Sequence, residues 1–268
     1  MIAIRSCSGF DELEACVRLE IETWGYDPSD VLPRKAFLLM QKIGGQVIGA
    51  FDTEIASGGP EPLVGFALSL PGMKQTERGP RAYLHSHMLA VREAYQNRGL
   101  GTKLKLEQRR DALARGIRHM EWTFDPLEIK NAHLNLHKLG AIARRYEENF
   151  YGASSSRLQG GLPTDRLVAE WRLDSPRVEA ALEGRTAEAR VIEARIQVPA
   201  AIYAWRATEA ERERALAVQS ENRETFQAAF SHGLAVVGFT RDAEGNGIYE
   251  LGSLLQSDAS LEFQGKSS

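Results

Sequence analysis

The residues best placed to do chemistry are Gln96-Asn97-Arg98-Gly99-Leu100-Gly101, with Lys103 just beyond, and the chemistry they suit is holding an anion. A glycine turn that opens a helix leaves the first amides of that helix without partners, and the aligned peptide dipoles add partial positive charge there. Gly99 and Gly101 keep a Cβ out of a phosphate's way, while Arg98 and Lys103 supply charge that suits a pyrophosphate. Two familiar phosphate motifs are excluded. Gly99-Leu100-Gly101-Thr102-Lys103 has neither the spacing nor the order of a Walker loop, and no third glycine completes a dinucleotide fingerprint. Titratable groups form the second set. His85 and His87 are two apart and, if their segment is a strand, share one face, the same face as Leu89 and Val91. His133 and His137 share a helix face, but no third ligand stands nearby and HExxH is absent, so no metal is expected. Cys7 and Cys16 are not a CxxC pair and are expected to be reduced, half-buried thiols.

The elements around the turn fit that reading. Tyr83 to Val91 alternates apolar residues as a strand does, and Leu100 to Arg115 has helical spacing, with Leu100, Leu104, Leu106 and Leu113 available for burial. His119 to Phe124 reads as another strand, parallel to the first because a helix separates them, and Asn131 to Lys138 as a short helix. A strand ending Leu89-Ala90-Val91, then Gln-x-x-Gly-x-Gly, a helix, a strand and a helix closing in Lys138-Leu139-Gly140-Ala141 resembles the GNAT acyltransferase superfamily, whose members bind acetyl-CoA.

The resemblance implies an α+β (mixed α/β) fold: a central, mostly antiparallel splayed sheet flanked by helices. It implies acetyl-CoA, or another acyl-CoA, as co-substrate, held by Gln96, Asn97, Arg98, Gly99, Leu100, Gly101 and Thr102, with Leu89, Ala90 and Val91 along the pantetheine arm. Asn131 is either a further cofactor contact or the cap of its helix. The implied reaction is direct transfer of the acyl group to an amine of a small molecule or peptide, with strand amides stabilising the carbonyl oxygen. His85 occupies the position at which the histone-acetylating branch carries a glutamate base, so His85 and His87 are the candidate bases, against a structural role in the sheet. Many members place a tyrosine acid where this chain has Leu136, which leaves Asn135, His137 or solvent as substitutes. The alternative is therefore a CoA-binding module whose chemistry is weak or lost. Trp24 and Tyr26, between two expected helices, either touch the acceptor or pack their loop onto the core.

The rest of the chain supplies the frame. Ile2 to Cys7 reads as a strand, and Phe10 to Thr23 as a helix offering Phe10, Leu13, Val17 and Ile21 for burial. Leu32 to Lys42 follows as a helix, and Gln46 to Ile55 and Leu63 to Leu70 as a hairpin across Ser57-Gly58-Gly59-Pro60. Met73 to Pro80 reads as a loop. Ala141 to Tyr151 and Leu167 to Leu173 complete the strands of an acyltransferase domain over 1–173. A linker or peripheral helix over 174–192 and a small β-α-β-β unit over 193–256 follow, then a flexible tail over 257–268. In that unit Glu209 to His232 is the helix, burying Leu216, Phe226 and Phe230, and Asp242 to Gly247 the hairpin turn. Gly161 to Trp171 and Thr123 to Leu127 look like a bacterial subgroup of the superfamily, a likeness that carries no chemistry.

Composition sets limits. In 268 residues, 43% hydrophobic and 26% charged content is ordinary for a globular chain, and a formal charge of −3 argues against nucleic acid as a partner. The N-terminal apolar run is too short for a signal peptide and no stretch approaches spanning length, so a cytoplasmic protein with no membrane partner is expected. Exposed edge strands leave room for a homodimer.

Overall fold

The computed structural model describes residues 1–54, 62–76, 79–156, 159–185 and 191–254. The fold is mixed α/β, its strand pairing predominantly antiparallel and its sheet flanked by helices. Contacts divide it into two compact units, the first Met1–Lys74, Pro80–Met120 and Ser155–Arg157, the second Gln75–Gly79, Glu121–Ser154 and Leu158–Ser268.

In the first unit β1 (Ile2–Ser6), β2 (Gln46–Asp52), β3 (Leu63–Thr76) and β4 (Gly79–Val91) lie in that order, and β1 with β2 and β2 with β3 are antiparallel. Alternation sends Val47, Phe51, Phe66 and Leu68 to one face, where α1 (Gly9–Trp24) and α2 (Arg34–Lys42) bury Leu13, Cys16, Leu19 and Phe37 against them. Ile48, Ala50, Val64 and Ala67 face the other way, onto Leu100 and Leu104 of α3 (Leu100–Ala114).

Helix α1 starts where Glu12 turns back to accept from Ser8 N–H at 2.7 Å, and it ends at Gly25, whose left-handed backbone donates to Ile21 O at 2.8 Å. Its buried stripe is Leu13, Cys16, Leu19 and Glu20; Phe10 and Ile21, expected inside, are exposed. Helical spacing allowed either stripe, and the sheet took the one that also buries Cys16. Met73 to Thr76, expected as loop, is instead the end of β3. Glycine and proline there signalled a break, but Gly72 leaves room for the Tyr83 ring and Lys74 sits over that ring, so cross-strand packing carries the ladder on. The turn at Ser57 to Pro60 lies outside the described residues.

Strand β5 (His119–Phe124) gives its last four residues to the second unit. There β5, β7 (Arg166–Arg172), β6 (Ile142–Glu147), β9 (Ala235–Arg241), β10 (Gly247–Gly252) and β8 (Ala194–Val198) lie side by side in that order. Helix α4 (Ile129–Ala132) runs into a π-helical turn over His133–Lys138. Helices α5 (Pro176–Leu182), α6 (Ile202–Ala207) and α7 (Arg212–Ser231) complete the unit. Gly140 has φ +69°, and a Cβ there would meet Ala181 Cβ at 2.9 Å, so only glycine lets α5 approach this closely.

Several expectations shift here. Strand β6 stops at Glu147 rather than Tyr151, because Asn149 turns left-handed at φ +44°. Helix α6 was not visible in the pattern, and Leu216 on α7 is exposed while Phe226 is buried against Tyr146 and Tyr249. Helix α4 opens after Glu128, so Asn131 lies inside it and is not its cap. Both cysteines are buried outright rather than half-buried, with Sγ atoms 3.8 Å apart. The tail from 257 lies outside the described residues, and among those described no helix is long and apolar enough to cross a membrane.

Candidate active site

The predicted anion turn has the required shape. Beyond β4 a short 3₁₀ turn, Glu93–Tyr95, leads into Asn97 at φ +58° and Gly99 at φ +74°, and Gly99 is the N-cap of α3. Two left-handed residues so close together reverse the backbone and aim successive amides toward one side. Beyond its immediate neighbours, no described residue lies within 4 Å of a Cβ placed on Gly99, so the space over it suits a phosphate. The Gln96 side-chain amide donates to Val91 O at 2.9 Å and ties the turn to the strand. Arg98 lies over the Tyr95 ring, and the Tyr95 hydroxyl donates to Asp52 at 2.7 Å, so one cation of the turn is fixed in place. Lys103 is exposed, Thr102 and Gly101 are half-buried, and Leu100 anchors the helix in the core.

The face alternation of β4 slips by one residue just before the turn. Ser86 points to α3, where its hydroxyl donates to Gln108 at 3.0 Å and accepts from Lys105 Nζ at 2.8 Å. Regular alternation would send Leu89 and Val91 to the opposite face, yet both pack with Leu100 and Leu104 of α3, and Met88 and Ala90 pack with α1 and α2. The side chains therefore change face by one residue between Ser86 and Met88, the signature of a β-bulge. His85 and His87 have ring centroids 6.2 Å apart, as expected for one face. That face is opposite Ser86, so the two imidazoles lie on the α1–α2 side and not, as simple alternation predicted, with Leu89 and Val91. Burial holds the His87 imidazole below its ordinary pKa, in the neutral form that accepts a proton.

Trp24 and Tyr26 stack at 5.8 Å and pack on the same core as Met88. One helical turn before Trp24 stands Glu20, which sequence reasoning did not single out. Its side chain is fully buried; Leu32 N–H donates to Oε1 at 2.9 Å, and Oε2 has no hydrogen-bond partner among the described residues. Burial raises its pKa from 4.5 to about 7, opposed by the Leu32 amide, and its charge is felt by the Cys16 thiol on the same helix. The unfolded carboxyl ionises near its ordinary value while the folded one keeps its proton, so stability falls as pH rises through this window. Measured against Glu20→Gln, wild-type stability is expected to drop by about 3 kcal/mol between pH 4.5 and 7 and to level off above it. Urea titrations across that range check this, and parallel curves would refute it.

Residues 13–141 match the model of the acetyltransferase (GNAT) family. The chain contains a GNAT domain. Its fold is similar to that of Arabidopsis thaliana NAA60 in complex with acetyl-CoA, with a TM-score of 0.50 and 18% identity over 64% of this chain and 99% of that one. The ribosomal-protein-S18-alanine N-acetyltransferase from Escherichia coli superposes with a TM-score of 0.48 at 16% identity, over 65% of this chain and 94% of that one. No curated protein matches the chain.

Within the GNAT domain the remaining candidates fall in the second unit. Asn131 is exposed on α4, and Asn135 is buried in the π-helical turn. Leu136, in the place of the usual tyrosine, is only 2% exposed and belongs to the core. His133 and His137 stack at 4.6 Å, and burial, His137, Arg241 and Lys138 together lower the His133 pKa to about 4. Among the described residues no group of three or more His, Cys, Asp or Glu could hold a metal ion.

Proposed function

We propose that the protein is an acetyl-CoA-dependent N-acetyltransferase whose activity resides in residues 1–173. The observation that carries this reading is the Gly99 turn: two left-handed residues and open space at the head of a fifteen-residue helix. Backbone amides of the turn and of α3, with Arg98 and Lys103, would hold the pyrophosphate. Acetyl-CoA supplies an acyl group activated as a thioester. A new N–C bond forms as the C–S bond breaks, and the amine must first lose a proton. His87, neutral and on the α1–α2 face, is the group proposed to take it, with His85 beside it. The thiolate proton is proposed to come from solvent, since Leu136 cannot donate one.

Release of CoA thiol in the presence of a panel of primary amines tests the reading. Activity is expected in the wild type, and His87→Ala is expected to lower kcat by roughly 10²-fold or more with acetyl-CoA binding unchanged. Binding without release by any amine would favour a second reading, a CoA-binding module, which Leu136 favours by removing the usual acid.

A further inference from the structure

The α1–α2 segment holds an acid that neither the fold nor the CoA turn explains. Glu20 is wholly buried, yet among the described residues only one of its oxygens is bonded and no basic side chain offsets its charge. A carboxylate in that condition is costly unless a donor or a cation meets it. The chain from Gly25 to Pro33 folds back over it, placing Leu32 N–H on Oε1, and this returning segment carries Asp27 and Asp30, both exposed. Ser155 clasps the segment from outside: Asp27 N–H donates to its hydroxyl at 3.1 Å, and that hydroxyl donates to Asp30 at 2.5 Å. Acids thus mark the route as well as its end. A cation drawn by Asp27 and Asp30 would find its counter-charge at Glu20.

We propose that Glu20 is a specificity-determining residue for the acceptor, its Oε2 accepting a hydrogen bond from the ammonium group of a primary alkylamine. This rests on the N-acetyltransferase reading for its biological sense, though not for its test. The two histidines occupy the β4 face onto which α1 and α2 pack, so the amine is held on the side where a base is present. Access requires the 25–33 segment to lift, in the manner of loops that close on substrate. The Ser155 clasp favours a small amine over a residue within a folded protein, because the segment is tied down on both flanks.

Calorimetric titration of spermidine, cadaverine and tyramine into protein saturated with CoA provides the test, with thiol release from acetyl-CoA measured in parallel. Glu20→Gln keeps an oxygen for Leu32 N–H but no charge, so a purely structural carboxyl would leave amine affinity unmoved. Expected is at least one amine that binds the wild type and binds Glu20→Gln at least tenfold more weakly, with acetyl-CoA affinity equal in the two. Equal amine affinity in both proteins, or no binding of any of the three to the wild type, overturns the proposal. Glu20-dependent binding without thiol release would instead overturn the acetyltransferase reading and leave this one standing. Should the variant not fold, the Glu20 carboxyl ¹³C resonance of the wild type decides: displacement on adding amine supports the proposal, and no displacement refutes it.

Discussion

Gly99→Glu is expected to abolish measurable acetyl-CoA binding while leaving the protein folded. Position 99 has φ +74°, where any side chain costs roughly 1 kcal/mol, and a Cβ there meets no protein atom within 4 Å. The substitution therefore places its bulk and negative charge in the open space over the first amides of α3. A pyrophosphate brought there would meet a carboxylate instead of free N–H groups. Together, repulsion and lost amide contacts should weaken binding by at least about 100-fold, close to 3 kcal/mol. Gly99→Ala separates the two causes: it carries the backbone cost without the charge, so its loss should stay below about tenfold. Calorimetry with acetyl-CoA and free CoA checks both variants. A folded Gly99→Glu that binds within threefold of the wild type would move the cofactor away from this turn, and a wild type that binds neither ligand would remove the acyl-CoA reading altogether.

How much of this was legible in the sequence depended on whether the signal was local. The turn was, because glycine at a left-handed position and a helical period after it are properties of adjacent residues, and α3 begins at Leu100 as expected. The sharing of a face by His85 and His87 was equally local. Their orientation relative to Leu89 was not, since one extra residue near Met88 reverses every later side chain and leaves no mark in composition. Glu20 shows the same limit from another side. In sequence it is one of several acids on an amphipathic helix, and only the chain returning at Leu32, twelve residues later, makes it a buried one. The Met73 to Thr76 strand was hidden because proline and glycine describe the local backbone, whereas Tyr83 on the neighbouring strand decides the pairing.

The subgroup motifs, which suggested no chemistry, turn out to do structural work in the second unit. Asp125 pairs with Arg206 at 2.9 Å, Glu128 accepts from the Tyr203 hydroxyl at 2.7 Å, and Pro126 O accepts from Tyr249 at 2.7 Å, so the Asp125 to Glu128 stretch is fixed by α6 and β10. Burial pushes the Glu128 carboxyl above its usual range, consistent with an internal joint and not a solvated acid. The segment from Gly160 to Arg166 is bound as firmly: Pro163 O accepts from both Gln159 and Gln219, and Gly160 O from Arg212. Residue types that look like a site in one dimension are here the fastenings of α6 and α7.

Asp165 is the centre of that second fastening, and its removal should produce a large loss of stability in the unit. The side chain is completely buried, and it accepts from the Tyr146 hydroxyl at 2.7 Å, from Asn149 N–H at 3.0 Å and from Arg223 Nε at 2.9 Å. Each donor comes from a different place: the end of β6, the left-handed corner after it, and the middle of α7. Asp165→Ala leaves a half-buried guanidinium and phenol without their shared acceptor, and Glu148, more than half exposed, can satisfy only one end of Arg223. Breaking a buried pair from one side costs about 3–5 kcal/mol, which at this size corresponds to a fall in Tm on the order of 10 °C. Asp165→Asn keeps an oxygen for Asn149 N–H and the shape of the site, so it should lose less than half as much. Thermal and urea unfolding of the three proteins provide the measurement. If Asp165→Ala costs under 1 kcal/mol, α7 is held mainly by Phe226 and its aromatic neighbours, and the polar centre serves some purpose other than holding the unit together.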